Sequence, residues 1–250
     1  MLVFICNVEP EEVIAFTEEE EEKLLNYINN NEDKLVSSNK SKIDAKTVKN
    51  IIKFGLATGM RIGEICSLNK DESINKDLKK VIVKTTLTKD LDNKIIIGKN
   101  TKTGRKKRQS RKKDIRYIPF GVLFNESEFI KILDEQYKVA SSISNSSSNL
   151  LFCTQNGNFI GHSSFNAIFK RICRQAGIKL ELIDGCNTHM MKHTAVTRMI
   201  ENGIRIEVIS VIVGTSVEVL RKTYAHILDD FIESEIEKSI KNRNSKLSLA

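Results

Sequence analysis

The stretch from Asn187 to His226 constrains this chain more than any other. Its first half reads as a helix, with Asn187 or Thr188 as N-cap and Gly203 as the residue just past the end. Met191, Ala195, Met199 and Ile200 recur near helical spacing, which predicts one buried face. His189, Lys192 and His193 fall within the first turn or so. Cationic and hydrogen-bonding side chains beside unpaired backbone N–H groups suit an anion such as a phosphate. Tyr224, one of only 4 tyrosines, follows just past a second helical segment.

At 250 residues and 40% hydrophobic content, the chain can bury a sizeable core as one large domain or two small ones. No apolar run reaches the roughly 18 residues that a membrane span requires. The opening MLVFICNVEPEE is apolar but short, has no basic n-region and turns acidic at once, so it does not read as a signal peptide. The 5 cysteines form no CxxC pair and read as buried thiols of a reducing, cytoplasmic compartment. Net charge is +8, and the basic excess is concentrated: Lys99 to Arg116 holds ten Lys or Arg against one Asp. Such asymmetry suggests a polyanion, most simply nucleic acid; the alternative is a solvated, mobile basic loop.

In chain order, Thr17 with Glu20 forms a capping box that opens an acidic helix to about Asn30, and Asn29 to Ser41 reads as a polar linker. A helix over Ala45 to Ala57 places Val48, Ile51, Ile52, Gly55 and Leu56 on one face and breaks at Thr58-Gly59. A short helix follows over Arg61 to Leu68. Val81 to Leu87, Lys94 to Ile97 and Ile115 to Phe120 are β-branched runs, which predict a small antiparallel three-stranded sheet whose second connection is the basic loop. Asn125 or Ser127 caps a helix carrying Phe129, Ile130, Leu133 and Tyr137. Ser141 to Asn149 is too polar to pack, and Asn156-Gly157 signals a turn. Ser163 caps a helix with Phe165, Ile168, Phe169 and Ile172 inward, stopped at Gly177. Asp229 to Lys241 is amphipathic, with Phe231, Ile232, Ile236 and Ile240 at helical steps; it can cover its own core or dock on a neighbouring subunit.

A tyrosine hydroxyl, with a pKa of about 10, is a poor nucleophile near neutral pH. It becomes useful when the electrophile is a phosphodiester held by cations and an acid protonates the leaving oxygen. Arg61, a basic-loop lysine, His189 with Lys192, and Tyr224 supply those parts.

On these residues the chain resembles the tyrosine recombinases, or phage-integrase family. Thr58-Gly59-Met60-Arg61-Ile62-Gly63-Glu64-Ile65 with Leu68 is similar to the family's first arginine box. His189 to Ala195 with Thr197-Arg198 is similar to its second box, and Val213-Gly214-Thr215-Ser216 followed by Thr223-Tyr224-Ala225-His226 to its nucleophile box. The resemblance covers about Thr47 to Phe231. It implies a mainly α fold with a small antiparallel three-stranded sheet (α+β), the DNA breaking-rejoining catalytic fold. It further implies that Arg61 clamps the scissile phosphate and Lys102, or its rival Lys99, is the general acid. His189 then assists proton transfer or hydrogen-bonds the phosphate, and Tyr224 attacks to give a 3′-phosphotyrosyl intermediate. Glu64 orients Arg61 or its helix. Lys99, Arg105, Lys106, Lys107 and Arg108 are the expected DNA contacts. No metal and no nucleotide cofactor is implied, and the partners expected are double-stranded DNA and, through the C-terminal tail, further copies of the chain.

Two positions depart from the family pattern. Lys192 stands where an arginine is expected, keeping the charge but losing the planar two-pronged donor. Thr215 stands where histidine or tryptophan is usual, and it can donate one short hydrogen bond but not pack as a ring does. Loss of one preorganised donor typically costs about 10²–10³-fold in rate. His193 reads as a structural histidine.

The helical N-terminal domain usual in the family has no counterpart here, so the expected divisions are residues 1–42 (flanking helix and linker), 43–231 (catalytic domain) and 232–250 (helical tail). The chain accordingly reads as truncated or as a stand-alone catalytic domain. Two functions remain open: an active recombinase, or a weakened or inactive remnant that only binds DNA or a partner. Cys186, His189 and His193 have metal-like spacing, but Met190 replaces the glutamate of a metalloprotease motif and no cysteine pair completes a zinc site.

Overall fold

A computed structural model describes residues 13–36, 42–92, 94–99, 115–143, 149–179 and 187–247. The predicted capping box is present. Thr17 accepts from the Glu20 N–H at 3.2 Å and Glu20 accepts from the Thr17 N–H at 3.0 Å, opening α1 (Glu18–Asn30). Leu24 and Ile28, one turn apart, bury α1 against the body of the protein. Arg198 ties it there through the Glu21 carboxylate at 3.0 Å and the Phe16 carbonyl at 3.1 Å.

Asp44 caps α2 (Ala45–Thr58) by accepting from the Lys46 and Thr47 N–H groups. The sequence predicts one apolar face for this helix, whereas its residues are buried on nearly every side. α4 (Glu126–Ser142) and α6 (His189–Glu201) pack against it from different directions. Contact with α6 requires Gly55, where an added Cβ would lie 2.9 Å from the Met191 sulfur. α6 is likewise buried beyond its predicted stripe, with Met190, Thr194 and Val196 enclosed as well as Met191 and Ala195. Both helices are central because layers close over them on several sides.

The strand segments pair differently from the predicted meander. The run read as one strand over Val81–Leu87 divides at Lys84 into β2 (Lys80–Val83) and β3 (Thr85–Lys89). β2 is the centre of a three-stranded antiparallel sheet ordered β1 (Ile74–Asn75), β2, β5 (Arg116–Pro119), with Val81 opposite Ile118. β3 instead pairs with β4 (Ile95–Lys99) as a separate hairpin, Thr85 opposite Lys99. Both halves of the run are rich in β-branched residues, so local propensity carries no sign of the break; the choice of partner is a non-local matter.

α3 (Ile62–Ile65) is shorter than its predicted span. It lies under β3, and a Cβ at Gly63 would sit 2.9 Å from the Thr86 hydroxyl oxygen. Asn125, one of the two expected caps, begins α4 by accepting from the Glu128 N–H at 2.8 Å. α5 spans His162–Gln175 with Gly161, not Ser163, as N-cap, and buries Phe165, Phe169 and Ile172. α7 (Ile206–Val213) ends at Gly214, whose φ of 62° is left-handed. Ser216 caps α8 (Val217–Thr223) and α9 runs Ala225–Leu247. Along α9, Ile232, Ile236 and Ile240 are 52–54% exposed, an uncovered stripe one turn apart. No helix of the described residues is long and apolar enough to cross a membrane. Most of the Ser141–Asn149 stretch lies outside the described residues.

Candidate active site

Arg61 is the N-cap of α3, set by the left-handed turn at Gly59 (φ 64°). A Cβ at Gly59 would meet Val213 at 3.1 Å and Ala195 at 3.3 Å, so this turn is pressed against α6 and α7. Glu64 accepts from the Arg61 N–H at 3.0 Å and from its guanidinium at 3.3 Å. The same carboxylate takes a two-pronged grip from Arg116 on β5, at 3.0 and 2.6 Å. Arg116 also donates Nε–H to the Ile212 carbonyl at 3.0 Å, at the end of α7. Its guanidinium fills the space over Gly214, where an added Cβ would lie 2.8 Å from Nη1. Burial opposes ionisation of Glu64, but the Arg116 hydrogen bonds and charge, with help from Arg61, hold its carboxyl down to about 2. One guanidinium thus joins the Arg61 helix, the sheet and the Gly214-Thr215 turn.

The N-terminus of α6 is fixed by α5. Asn166 accepts from the Thr188 N–H at 2.9 Å, and the Thr188 hydroxyl lies 3.2 Å from His162 Nε2. Asn187 accepts from the His189 N–H at 2.8 Å. Lys192 is buried and donates to the Val213 carbonyl at 3.0 Å and the Thr215 hydroxyl at 2.8 Å. The two positions that depart from the family pattern are therefore in contact with each other.

Tyr224 caps the C-terminus of α8 and is 2% exposed. Its hydroxyl is 2.7 Å from His193 Nδ1. Burial pushes the Tyr224 hydroxyl well above its ordinary range, and the Arg61 charge pulls back against it. Burial, reinforced by His189 and Lys192, lowers His193 to about 4, so its ring is neutral near pH 7. A phenol beside a neutral imidazole, with cationic side chains around it, is suited to attack an electrophile that itself carries negative charge.

Of the residues singled out from sequence, Arg61, His189, Lys192, Thr215 and Tyr224 lie on the short elements that converge here. Lys99 ends β4 opposite Thr85, whose hydroxyl donates to Ser67 Oγ at 3.0 Å just past α3, so its strand reaches the Arg61 region. Lys102, Arg105, Lys106, Lys107 and Arg108 fall outside the described residues. Sequence reading missed Arg116, counted there as one of ten basic residues. The alternation of β5 carries its signal, since Arg116 shares a face with the fully buried Ile118 while Tyr117 points out. It also undervalued His193, which touches the tyrosine hydroxyl.

A mainly helical domain with a small antiparallel sheet, whose arginine, histidines and lysine gather about a buried tyrosine, defines the tyrosine-recombinase catalytic fold. The chain belongs to the phage integrase family, whose model matches residues 15–230. Tyrosine recombinase XerC of Bacillus pumilus is 22% identical over 180 residues, which are 72% of this chain and 49% of the relative. Tyrosine recombinase XerD of Corynebacterium glutamicum is 24% identical over 115 residues, 46% of this chain and 35% of the relative. The chain thus spans half or less of the length of the curated relatives it matches. Among solved structures, the Tn1549 transposon integrase in complex with a circular intermediate DNA has a TM-score of 0.67 at 22% identity, over 92% of this chain and 67% of that one. XerA recombinase has a TM-score of 0.61 at 18% identity, over 92% and 64%. At these identities the structural likeness is one of fold.

Proposed function

We propose that this chain is the catalytic part of a site-specific DNA recombinase that cleaves and rejoins DNA through a 3′-phosphotyrosyl intermediate, in mobile-element integration or excision. The observation that carries the reading is the buried Tyr224 hydroxyl against His193, with Arg61, His189 and Lys192 acting electrostatically on that pair. Arg61 grips a non-bridging oxygen of the scissile phosphate, and His189 and Lys192 add further donors. Thr215, held by Lys192, lines the same wall. Lys102, or Lys99 from the hairpin, protonates the leaving 5′-oxygen, and Arg105 to Arg108 run along the duplex backbone. The catalytic unit is residues 43–231, braced by the segment before it and followed by the tail. The α9 isoleucine stripe takes a second copy of the chain, because it is apolar, regular and uncovered. The buried free thiols Cys66, Cys153 and Cys173 fit a cytoplasmic setting.

The test is a nicked suicide duplex incubated with the full chain. A denaturant-resistant protein–DNA species is expected from the wild type and none from Tyr224→Phe. The Lys192–Thr215 contact favours a second reading, a DNA-binding module with weakened or absent turnover. That module would bind DNA with a steep salt dependence yet yield no covalent species, and paired Lys192→Arg and Thr215→His would restore cleavage.

A further inference from the structure

We propose that His193, rather than His189, is the residue that takes the proton from Tyr224 during attack. The inference rests on Tyr224 being the nucleophile. Tyr224 is 2% exposed, so its hydroxyl proton needs an acceptor within the protein. Among the described residues the hydroxyl's partner is His193 Nδ1 at 2.7 Å, inside the reach required of a general base. With the phenol as donor in this contact, the ring proton sits on Nε2 and the Nδ1 lone pair accepts. The ring centroids stand 5.9 Å apart and tilted by 47°, so the contact runs through the edge of the imidazole and is not a stack. His189, by contrast, sits one turn earlier on α6, with its ring 6.3 Å from that of His162 on α5.

The charged and titratable groups acting on this pair are His189 and Lys192 from α6 and Arg61 from the turn before α3. Arg61 favours loss of the Tyr224 proton, whereas His189 and Lys192 disfavour a positive charge on His193. A bound phosphodiester, bearing negative charge, offsets them and makes protonation of His193 easier at the moment it is needed. In the step itself, the Tyr224 oxygen forms a bond to phosphorus while its proton passes to His193 Nδ1. The bond from phosphorus to the 5′-oxygen breaks, its electron pair leaves with that oxygen, and the basic-loop lysine supplies the proton. Neutral imidazole and ammonium become imidazolium and amine, with charge conserved. Rejoining runs the same path backwards, with His193 returning the proton as Tyr224 leaves.

The experiment measures single-turnover cleavage of a suicide duplex from about pH 6 to 9 with the wild type, His193→Asn and His189→Asn. Asparagine sets an oxygen acceptor near the Nδ1 position but cannot hold the proton, so it preserves the hydrogen bond and removes only the base. Expected for His193→Asn is a loss of about 10²–10⁴-fold near pH 7, with a rate that climbs about tenfold per pH unit while the wild type stays level. His189→Asn keeps the level profile whatever its rate. A 5′-bridging thiolate substrate, whose leaving group needs no acid, does not rescue His193→Asn. Wild-type activity and a level profile in His193→Asn overturn the inference, as does a slope that appears in His189→Asn instead. No covalent species from the wild type overturns the nucleophile reading and this inference with it, whereas a wild-type species without the expected His193 effect overturns only the inference.

Discussion

Replacing Arg116 with alanine removes the residue that joins three parts of the site. Glu64 has a side-chain exposure of 1% and accepts hydrogen bonds of 2.6 and 3.0 Å on its two carboxylate oxygens from Arg116, itself 10% exposed. What remains in place for the carboxylate includes the Arg61 N–H at 3.0 Å and one guanidinium contact at 3.3 Å. The fall of Glu64 from the ordinary 4.5 to about 2 corresponds to ~3 kcal/mol in favour of its charged form, at about 1.4 kcal/mol per tenfold change. Removing one partner of a buried pair costs about 3–5 kcal/mol, in agreement with that figure. For a chain of this size ~3 kcal/mol lowers Tm by roughly 6–12 °C. The depressed carboxyl contributes stability that is fully present above its unfolded value near 4.5 and is lost as pH falls toward 2. Urea titrations of the wild type and Arg116→Ala should therefore differ most at neutral pH and converge as pH drops below about 4. Arg116→Lys should recover only part of the difference, because a single ammonium cannot bond both carboxylate oxygens and the Ile212 carbonyl together. If Arg116→Ala unfolds within about 0.5 kcal/mol of the wild type at pH 7, the ion pair does not hold the site together and the reasoning fails.

Other outcomes are expected from the same contacts. Lys192→Arg and Thr215→His should be non-additive by about 0.5–3 kcal/mol in a thermal-unfolding cycle, because the two side chains touch at 2.8 Å. Exchanging Arg105, Lys106, Lys107 and Arg108 for alanine should flatten the dependence of log Kd on log salt by up to about four, measured by fluorescence anisotropy on duplex DNA. Ile232→Ser with Ile236→Ser should abolish self-association in sedimentation velocity while leaving Tm nearly unchanged, since both side chains are already half exposed.

Features set by neighbours in sequence were legible in advance. The Thr17–Glu20 box, the Asn125 cap and the glycine stops at Gly59, Gly177 and Gly203 are local chemistry, and the structure places them as expected. The two arginine-type boxes and the nucleophile box singled out Arg61, His189 and Tyr224 before any contact was known. Strand pairing was not legible, because Val81 to Thr88 offers the same propensity on both sides of Lys84 and only distant partners choose between two sheets. Arg116 was hidden by its company, the last of a basic run whose charge drew attention away from its place on the inner face of β5. His193 was hidden for a different reason: a helix position reports which residues share a face, not which hydroxyl from a segment 31 residues further on comes to rest against it. The contact between Lys192 and Thr215, 23 residues apart, is of the same kind.

The central claim is that Tyr224 forms the bond to DNA. The most direct measurement is mass spectrometry of the protease-digested species trapped on a nicked duplex. The account predicts one modified peptide, carrying a 3′-phosphonucleotide on Tyr224. A modification mapped to Tyr27, Tyr117 or Tyr137, or an unmodified Tyr224 in a preparation that nicks the DNA, would contradict it.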